Sequence, residues 1–178
     1  MPYNANISQV NWIGRVLLGV IYSTPQDYLQ TISFLIKLMN FWLVKQEPSQ
    51  YNWDQFVIDK ETYWDGVRNY QARNNLKKMI KGDLVFFYHS VVEKEIKGIA
   101  KVSNEYYPDP TSDNSNWVVV NLKPYKPLSL PVTLDGIKKN LKLSNIALIK
   151  QSRLSVMQLT KNEFKIILKM GKTKLPGL

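Results

Sequence analysis

Apolar residues in this chain fall into short runs that are separated by polar segments containing proline, glycine or asparagine. Runs of about four to eight apolar residues between turn-forming residues are typical of buried β-strands. This pattern predicts strands at residues 41–44, 84–88, 94–102 and 117–122. Residues 123–132 are extended in character but carry prolines, so they are predicted to lie at a sheet edge, where fewer ladder hydrogen bonds are required of them.

Short helices are predicted between and after these strands. Capping residues and the helical spacing of apolar positions place helices within residues 49–60, 71–79, 133–140 and 161–170. Asn69 is suited to cap the second helix, and Thr160 with Glu163 forms a capping box for the last one. Closely spaced short strands flanked by small helices predict an α+β domain with a barrel-like sheet rather than a parallel sheet.

The first 38 residues differ in character from the rest of the chain. Their apolar segments, residues 14–22 and 32–38, are shorter than the roughly 20 residues of a membrane span, so no membrane partner is expected. The uncharged beginning argues against a signal peptide. We interpret residues 1–38 as an N-terminal appendage, either translated from a start codon upstream of a native start at Met39 or forming an amphipathic docking helix over residues 25–38.

The remainder predicts one domain over residues 39–171, followed by a loose basic tail over residues 172–178. Within the domain, the proline-containing segment 105–110 is expected to form a rigid loop, because proline restricts both its own backbone and that of the preceding residue.

The charge of the chain indicates the kind of partner. Its 178 residues include 24 lysines and arginines against 14 aspartates and glutamates, which gives a net charge of +10. Polyanions suit such a protein, although charge alone does not distinguish nucleic acid from an acidic membrane surface. There is no cysteine and a single histidine, His89, which excludes disulfides, thiolate nucleophiles and the usual cysteine- or histidine-rich metal sites. No cofactor is expected.

Residues 64–75 have the clearest functional character. They contain two large aromatic residues, two arginines, three asparagines, a glutamine, an aspartate and a glycine. Asp65 followed by Gly66 predicts a turn. Trp64 and Tyr70 are either ordinary packing residues, with the polar groups satisfying the loop backbone, or part of a surface that contacts a ligand. The density of polar and aromatic groups in one short stretch favours the ligand.

The end of the predicted strand 84–88 supplies a second polar group, Tyr88, His89 and Ser90. Binding sites often lie at strand ends, so these side chains are predicted to face the same pocket as Trp64. His89 is equally consistent with ligand contact and with a hydrogen-bonded structural role. A histidine beside a serine does not make a catalytic triad, because no positioned third group is indicated.

Five motifs occur together in the order and spacing of a known family. They are W-L-V-K-Q-E-P at residues 42–48, W-D-G-V-R-N-Y-Q-A-R-N at 64–74, F-Y-H-S at 87–90, Y-P-D-P at 107–110 and Q-S-R-L-S-V at 151–156. Over about residues 40–171 the chain resembles the EVE domain, a family of the PUA-like superfamily. One departure is Gln46, where such proteins commonly carry a serine.

The resemblance implies a PUA-like closed β-barrel with peripheral short helices and a pocket that receives a modified nucleobase. The residues fit this chemistry, because a flipped base needs aromatic faces to stack on and polar groups to read its edge. The candidates for the pocket are Trp64, Tyr70 and Tyr88 as faces, and Asp65, Asn69, Gln71, His89 and Ser90 at the edge. The cations predicted to bind the nucleic-acid backbone are Lys45, Arg68, Arg73 and Arg153.

The leading hypothesis is a nucleic-acid-binding module, not an enzyme, that reads a modified cytosine or adenine in DNA or RNA. It is expected to be a monomer in the cytoplasm, or in the nucleus of a eukaryote. One alternative is an enzyme acting on nucleic acid, with Asp65 or Glu47 as acid/base and His89 as proton shuttle. Another is a protein-interaction module that uses the N-terminal appendage.

Overall fold

The computed structural model describes residues 39–178 and, before them, only Gln26. The predicted appendage and docking helix therefore lie outside the described residues. In chain order the elements are β1 (Phe41–Gln46), α1 (Trp53–Asp59), β2 (Thr62–Tyr63), α2 (Tyr70–Leu76), β3 (Leu84–His89), β4 (Glu95–Pro108), β5 (Val118–Thr133), α3 (Leu134–Lys139), a 3-10 turn (Leu141–Leu143), α4 (Ala147–Lys150), β6 (Val156–Leu159) and α5 (Lys161–Met170).

The strands form one mixed sheet in the order β2-β5-β4-β3-β1-β6. β1 and β3 are parallel and in register from Phe41 opposite Leu84 to Gln46 opposite His89. The other neighbouring strands are antiparallel, including the predicted pair formed by β3 and β4. The carboxyl ends of β1 and β3 consequently lie side by side at one edge of the sheet.

The mixed α+β fold is confirmed, but the sheet is not closed into a barrel. Within residues 39–178, β2 and β6 are the two outer strands and no ladder joins them. Helix α2 packs against both β5 and β6. Its Asn75 donates from Nδ2 to the Val156 carbonyl of β6 at 2.8 Å. A helix and a side-chain amide thus occupy the position where strand pairing would have closed the barrel, which corrects the prediction of a closed barrel.

Strands β4 and β5 are longer than the sequence predicted. The loop expected at residues 105–110 is largely the end of β4, and the predicted strands 117–122 and 123–132 are one strand, β5. The prolines are tolerated because β2 pairs only with Asn121 and Leu122. Beyond these residues no other described strand pairs with this side of β5, and the register of β5 with β4 shifts between Ile99 and Ala100.

The core fills both faces of β3. On one face Phe86 stacks on Phe164 of α5, with ring centroids 4.0 Å apart. On the other face Phe87 meets Phe56 and Trp53 of α1 at 5.3 and 5.5 Å. Because side chains alternate along a strand, one aromatic pair in β3 anchors a helix on each side of the sheet.

Local capping signals gave correct helix starts. Asn52, Asn69, Thr133 and Thr160 each accept a hydrogen bond from a backbone N–H in the first turn of the helix they precede. The capping box at Thr160 is confirmed. Among residues 39–178, every helix is too short or too polar to span a lipid bilayer.

The segment after α5, predicted as a loose tail, is packed against β5. Thr173 and Leu175 are buried. The Thr173 hydroxyl accepts a hydrogen bond from the Ser129 N–H at 2.8 Å, and the Lys126 ammonium donates to the Lys174 carbonyl at 3.1 Å. These contacts fix the backbone of this segment while its lysine side chains remain at the surface.

Candidate functional site

The carboxyl ends of β1 and β3 open onto a cleft of about 590 Å³, which we call the strand-end cleft. Its lining residues are Lys45, Gln46, Glu47, Gln50, Tyr88, Ser90, Val91, Lys94, Leu134, Leu148, Ser152, Arg153 and Ser155. The Ser90 N–H donates to the Gln46 carbonyl at 2.8 Å, which extends the parallel pairing past the strand ends. Four of the predicted site residues, Lys45, Tyr88, Ser90 and Arg153, are brought together here.

Burial shifts the pKa values of two side chains in the strand-end cleft, Lys45 and Tyr88. Burial lowers the pKa of Lys45, whose ammonium donates to the Ser152 carbonyl at 2.9 Å. Burial raises the pKa of Tyr88 to about 12, and the nearby Asp135 charge adds to this effect. The Tyr88 hydroxyl is therefore neutral at physiological pH and retains its hydrogen-bond donor. Arg153 is exposed at the cleft and carries its charge into solvent.

A second cleft of about 310 Å³ adjoins the first, and we call it the tryptophan cleft. It is lined by Gln46, Gln50, Tyr51, Thr62, Tyr63, Trp64 and Asp65. The two clefts share Gln46 and Gln50, so they form neighbouring parts of one surface. Gly66 has a φ of +68°, which glycine adopts at no steric cost, but residues 64–69 are irregular and the turn predicted after Asp65 is not formed.

Trp64 combines a structural role with its position in the tryptophan cleft. The residue is only 6% exposed, and its ring lies edge-on to Phe87 with centroids 5.5 Å apart. The backbone N–H of Trp64 donates to the Val120 carbonyl at 2.8 Å. Most of the Trp64 side chain is therefore packed in the core, as the packing interpretation predicts. A small part of it lines the tryptophan cleft. Asp65 next to it is exposed.

His89 occupies a structural position. It is 2% exposed, and its Nε2 accepts a hydrogen bond from the Trp53 N–H at 3.0 Å. Its Nδ1 lies 2.7 Å from Glu93 Oε2. An Nε2 that accepts requires the proton on Nδ1, which then donates to the carboxylate. The hydrogen bond from His89 lowers the pKa of Glu93. Both ring nitrogens are therefore occupied within the protein. No group of three acidic or histidine side chains in the described part of the chain is arranged to hold a metal ion.

Two predicted residues at the start of α2 make contacts within the protein. The Asn69 side-chain oxygen accepts from the Ala72 N–H at 2.9 Å and so caps the helix. Gln71 donates from Nε2 to Gln151 Oε1 at 2.9 Å. Gln151 directly precedes Ser152 and Arg153 of the strand-end cleft, so Gln71 connects α2 to the rim of that cleft.

The remaining predicted residues of the 64–75 segment, Tyr70, Arg68 and Arg73, lie together with Trp117 in a separate surface group, which we call the arginine–aromatic stack. The Tyr70 and Trp117 rings have centroids 5.2 Å apart, with their planes tilted by 33°. The Arg73 guanidinium carbon lies 4.8 Å from the Tyr70 centroid and 6.0 Å from that of Trp117. Arg68 lies 5.6 Å from the Trp117 centroid. Tyr70 is 64% exposed, so this group faces solvent.

Asp109 holds one arginine of the stack in place. Its carboxylate is buried and accepts from Arg68 Nη1 at 2.7 Å. The Thr111 hydroxyl and N–H donate to the other oxygen at 2.6 and 2.9 Å. Burial alone would raise the pKa of Asp109, but the hydrogen bonds from Thr111 and the charge of Arg68 outweigh it and lower the pKa below its ordinary 3.8.

Asp109→Asn is expected to lower the free energy of unfolding at pH 7 by about 2 kcal/mol, because hydrogen bonds to a charged group are lost. A carboxylate whose pKa is lower in the folded state stabilises the protein above its unfolded pKa, and this stabilisation disappears as the pH falls through the folded value. The difference between the two proteins should therefore shrink below about pH 3.8, which urea unfolding at pH 7 and pH 3 would measure. A difference independent of pH would contradict this assignment.

Sequence reasoning missed Trp117, Gln50, Tyr51 and Tyr63 as residues near the site. Trp117 begins a hydrophobic run and was assigned to a strand, and its partner Tyr70 is distant in the chain. The available signal was a tryptophan placed directly after the polar turn 111–116. Gln50 and Tyr51 follow the strand end at Gln46, where a binding role is common but no residue pattern specifies one.

Comparison with known proteins places the chain among characterised relatives. The EVE domain family model matches residues 40–170. Human thymocyte nuclear protein 1 is 33% identical over 191 aligned positions, which cover 88% of this chain and 85% of the human protein. The match thus includes nearly all of the described fold.

Solved structures show the same likeness. An Agrobacterium tumefaciens protein superposes with a TM-score of 0.75 at 36% identity, covering 78% of this chain and 97% of that one. A Rhodopseudomonas palustris protein gives a TM-score of 0.72 at 46% identity, covering 75% and 94%. Human THYN1 protein, in complex with DNA containing 5-methylcytosine, gives 0.70 at 30% identity, covering 76% and 99%.

Proposed function

This chain belongs to the EVE domain family, and we propose that it binds nucleic acid and reads a modified base, with 5-methylcytosine in DNA as its first candidate. The observation that carries the proposal is that human THYN1, 30% identical in sequence and similar in fold, has been solved with DNA containing 5-methylcytosine. The net charge of +10 suits a polyanionic partner.

The tryptophan cleft is the proposed position of the base. It offers part of an indole ring and two tyrosines, Tyr51 and Tyr63, as apolar and aromatic walls. Asp65 and the amides of Gln46 and Gln50 supply hydrogen-bonding groups. An aspartate accepts from the exocyclic amino group of cytosine, which makes Asp65 the residue proposed to recognise the base type. Gln46, the residue that departs from the family's common serine, is proposed to contact the same edge.

The strand-end cleft is the proposed path of the adjoining backbone. Lys45 and Arg153 supply cations there, and the neutral hydroxyls of Tyr88 and Ser90 can donate to phosphate oxygens. Asn69, Gln71 and His89 support the site indirectly. Each forms a hydrogen bond with another residue of this chain. These bonds position α2 or the end of β3, and none of the three side chains lines a cleft.

Among the described residues, the contacts of His89 argue against the enzyme alternative. It required His89 as a proton shuttle, whereas both nitrogens of that buried ring are hydrogen-bonded within the protein. Asp65 lines the tryptophan cleft, whose walls do not include His89. We therefore infer a binding protein rather than an enzyme. Its monomeric state and its location in the cytoplasm, or in a eukaryotic nucleus, stay predictions.

The proposal is tested by titrating the full chain with fluorescent duplexes that carry one cytosine, 5-methylcytosine, 5-hydroxymethylcytosine, adenine or N6-methyladenine, at two salt concentrations. We expect a preference for 5-methylcytosine that persists at the higher salt concentration, because contacts to the base release few counterions. Equal and salt-sensitive affinity for every duplex would contradict base reading and leave only a basic surface.

Asp65→Ala is expected to weaken binding of the preferred duplex about tenfold, since a good base-edge contact is worth about 1–3 kcal/mol. Asp54→Ala, which removes an exposed carboxylate of α1 outside both clefts, is the matched control and should bind as the unmodified chain does. Trp64→Ala is less informative, because loss of so buried a ring would itself cost about 3–5 kcal/mol of stability. Similar affinities for the two aspartate variants would remove Asp65 from the reading role.

A further inference from the structure

We propose that the arginine–aromatic stack is a second nucleobase platform, which binds an unpaired base a few nucleotides from the base held in the tryptophan cleft. This inference rests on the proposed function in one respect, that the partner is a nucleic acid. It does not depend on which base is read, nor on whether any modification is preferred.

The exposure of Tyr70 is the first argument. Single exposed aromatic side chains are common, but here a 64% exposed tyrosine lies 5.2 Å from a half-buried tryptophan, and both are flanked by arginines. Proteins that bind single strands without reading sequence combine stacking aromatics with cations for the backbone. The stack provides both within one group of four residues.

The stack differs from the other cation–aromatic contacts of the described residues. Lys101 lies 3.6 Å from the Tyr125 ring centroid and Lys77 lies 5.8 Å from that of Tyr106, but each of these pairs has a single ring and a single lysine. Arginine presents a planar guanidinium that stacks on bases and forks onto phosphates, which lysine cannot do. This composition is what favours a nucleic acid as the occupant.

The two arginines of the stack have different hydrogen-bond partners. Arg68 pairs with the buried carboxylate of Asp109 at 2.7 Å, which fixes its orientation beside Trp117 and neutralises part of its charge. Arg73 donates from Nε and Nη2 to the neutral side chain of Asn74 at 3.1 and 2.8 Å. Arg73 therefore keeps its full charge and is the residue placed to attract a phosphate.

The stack lies within reach of the clefts. Asp65 of the tryptophan cleft and Tyr70 are five residues apart, so their Cα atoms are separated by at most about 18 Å. In addition, Gln71 donates to Gln151 at 2.9 Å, and Gln151 directly precedes Ser152 of the strand-end cleft. A strand with one base in the tryptophan cleft can thus place a neighbouring unpaired base on Tyr70 and Trp117.

The test compares Tyr70→Ala and Trp117→Ala with the unmodified full chain, using single-stranded oligonucleotides that carry cytosine or 5-methylcytosine. Each variant is expected to lose about tenfold in affinity, equally for both oligonucleotides, because stacking tolerates every base. Tyr70→Phe should retain the affinity, since the ring alone is required. Tyr125→Ala, which removes an exposed ring elsewhere on β5, is the control and should bind normally.

Thermal unfolding of each variant shows whether Trp117→Ala merely unfolds the protein, and Tyr70→Ala keeps the test decisive because that ring is mostly exposed. Normal affinity of folded Tyr70→Ala and Trp117→Ala would overturn the platform. Loss of discrimination instead of affinity would also overturn it, because the residues would then belong to the reading pocket. If the unmodified chain shows no preference for 5-methylcytosine but the two variants still bind more weakly, base reading fails and the platform stands.

Arg73→Ala provides an independent readout. Removing one phosphate contact should weaken binding similarly for all sequences and reduce the slope of log affinity against log salt by about one. Lys101→Ala, beside Tyr125, should leave the slope unchanged. An unchanged slope in Arg73→Ala would show that this arginine does not meet the backbone.

Discussion

Gly98→Ala is expected to destabilise the domain by about 3 kcal/mol or more, because a methyl group on this residue of β4 would overlap the indole ring of Trp53. The ring has little room to move. It is held edge-on by Phe56 at 5.7 Å and by Phe87 at 5.5 Å. The expected loss corresponds to a fall of roughly 10 °C in melting temperature, which calorimetry or circular dichroism would measure.

Gly136→Ala is the matched control for Gly98→Ala. Gly136 lies in α3, where a methyl group would come no closer than 3.3 Å to the Thr133 hydroxyl oxygen. Alanine also favours a helix over glycine by about 1 kcal/mol, so this variant should be neutral or slightly more stable. Equal effects of the two substitutions would show that the contact between Gly98 and Trp53 is not tight.

The position of Trp53 also has a consequence for the site. The backbone N–H of Trp53 donates to Nε2 of His89. The other ring nitrogen of His89, Nδ1, is hydrogen-bonded to Glu93, which lies beyond the end of β3. A shift of α1 in Gly98→Ala would disturb this arrangement beside Ser90 and the strand-end cleft. Binding by the folded fraction of this variant should therefore weaken as well.

Asp83→Ala is expected to lower the free energy of unfolding by roughly 4 kcal/mol, because the buried indole N–H of Trp42 and two partly buried backbone N–H groups would lose their shared acceptor. The Asp83 carboxylate is 1% exposed and accepts from Trp42 Nε1 at 2.8 Å, from the Asn40 N–H at 2.9 Å and from the Ile80 N–H at 3.1 Å. Trp42 is 0% exposed, so its indole N–H would be left without an acceptor in the interior of the domain. Urea unfolding with an unchanged m-value would measure the loss.

Asp83 precedes β3, at the opposite end from the clefts, so the folded fraction of Asp83→Ala should bind nucleic acid normally. Asp113→Ala, which removes an exposed carboxylate from the turn before Trp117, is the control and should change stability by less than about 0.5 kcal/mol. An Asp83→Ala variant as stable as this control would refute the proposed role of the buried carboxylate.

Sequence reasoning succeeded where the decisive contact is local. Asn69, Thr160 and Glu163 interact within three residues of each other or of the helix they cap, and Gly66 adopts its positive φ without any partner. Such contacts can be inferred from spacing alone. The motif resemblance went further, because it identified the family and hence the mixed fold.

The same reasoning failed where the partners are distant in the chain. The contact between Trp53 and Gly98, and the stacking of Tyr70 on Trp117, are set by the three-dimensional packing of elements that no local pattern connects. The open sheet is a further case. On the side of β6 that faces away from β1, the Val156 carbonyl accepts from Asn75 of α2, which is distant in the chain, so no local pattern reveals this contact.

The pairing of β1 with β6 has a consequence for biosynthesis. The apolar run from Phe41 to Val44 is buried in the finished fold, and its outer side is completed only when Phe41 meets Leu159. On a ribosome that adds about 5–20 residues per second, β1 emerges before the other described strands, and its partner β6 is made only after most of the chain has been synthesised. A truncated polypeptide that ends before β6 would expose one unpaired edge of the apolar strand β1. Unpaired strand edges form hydrogen bonds with other chains, which leads to aggregation. Truncation is therefore expected to produce aggregation and recognition by chaperones, even though residues of both clefts would have been synthesised.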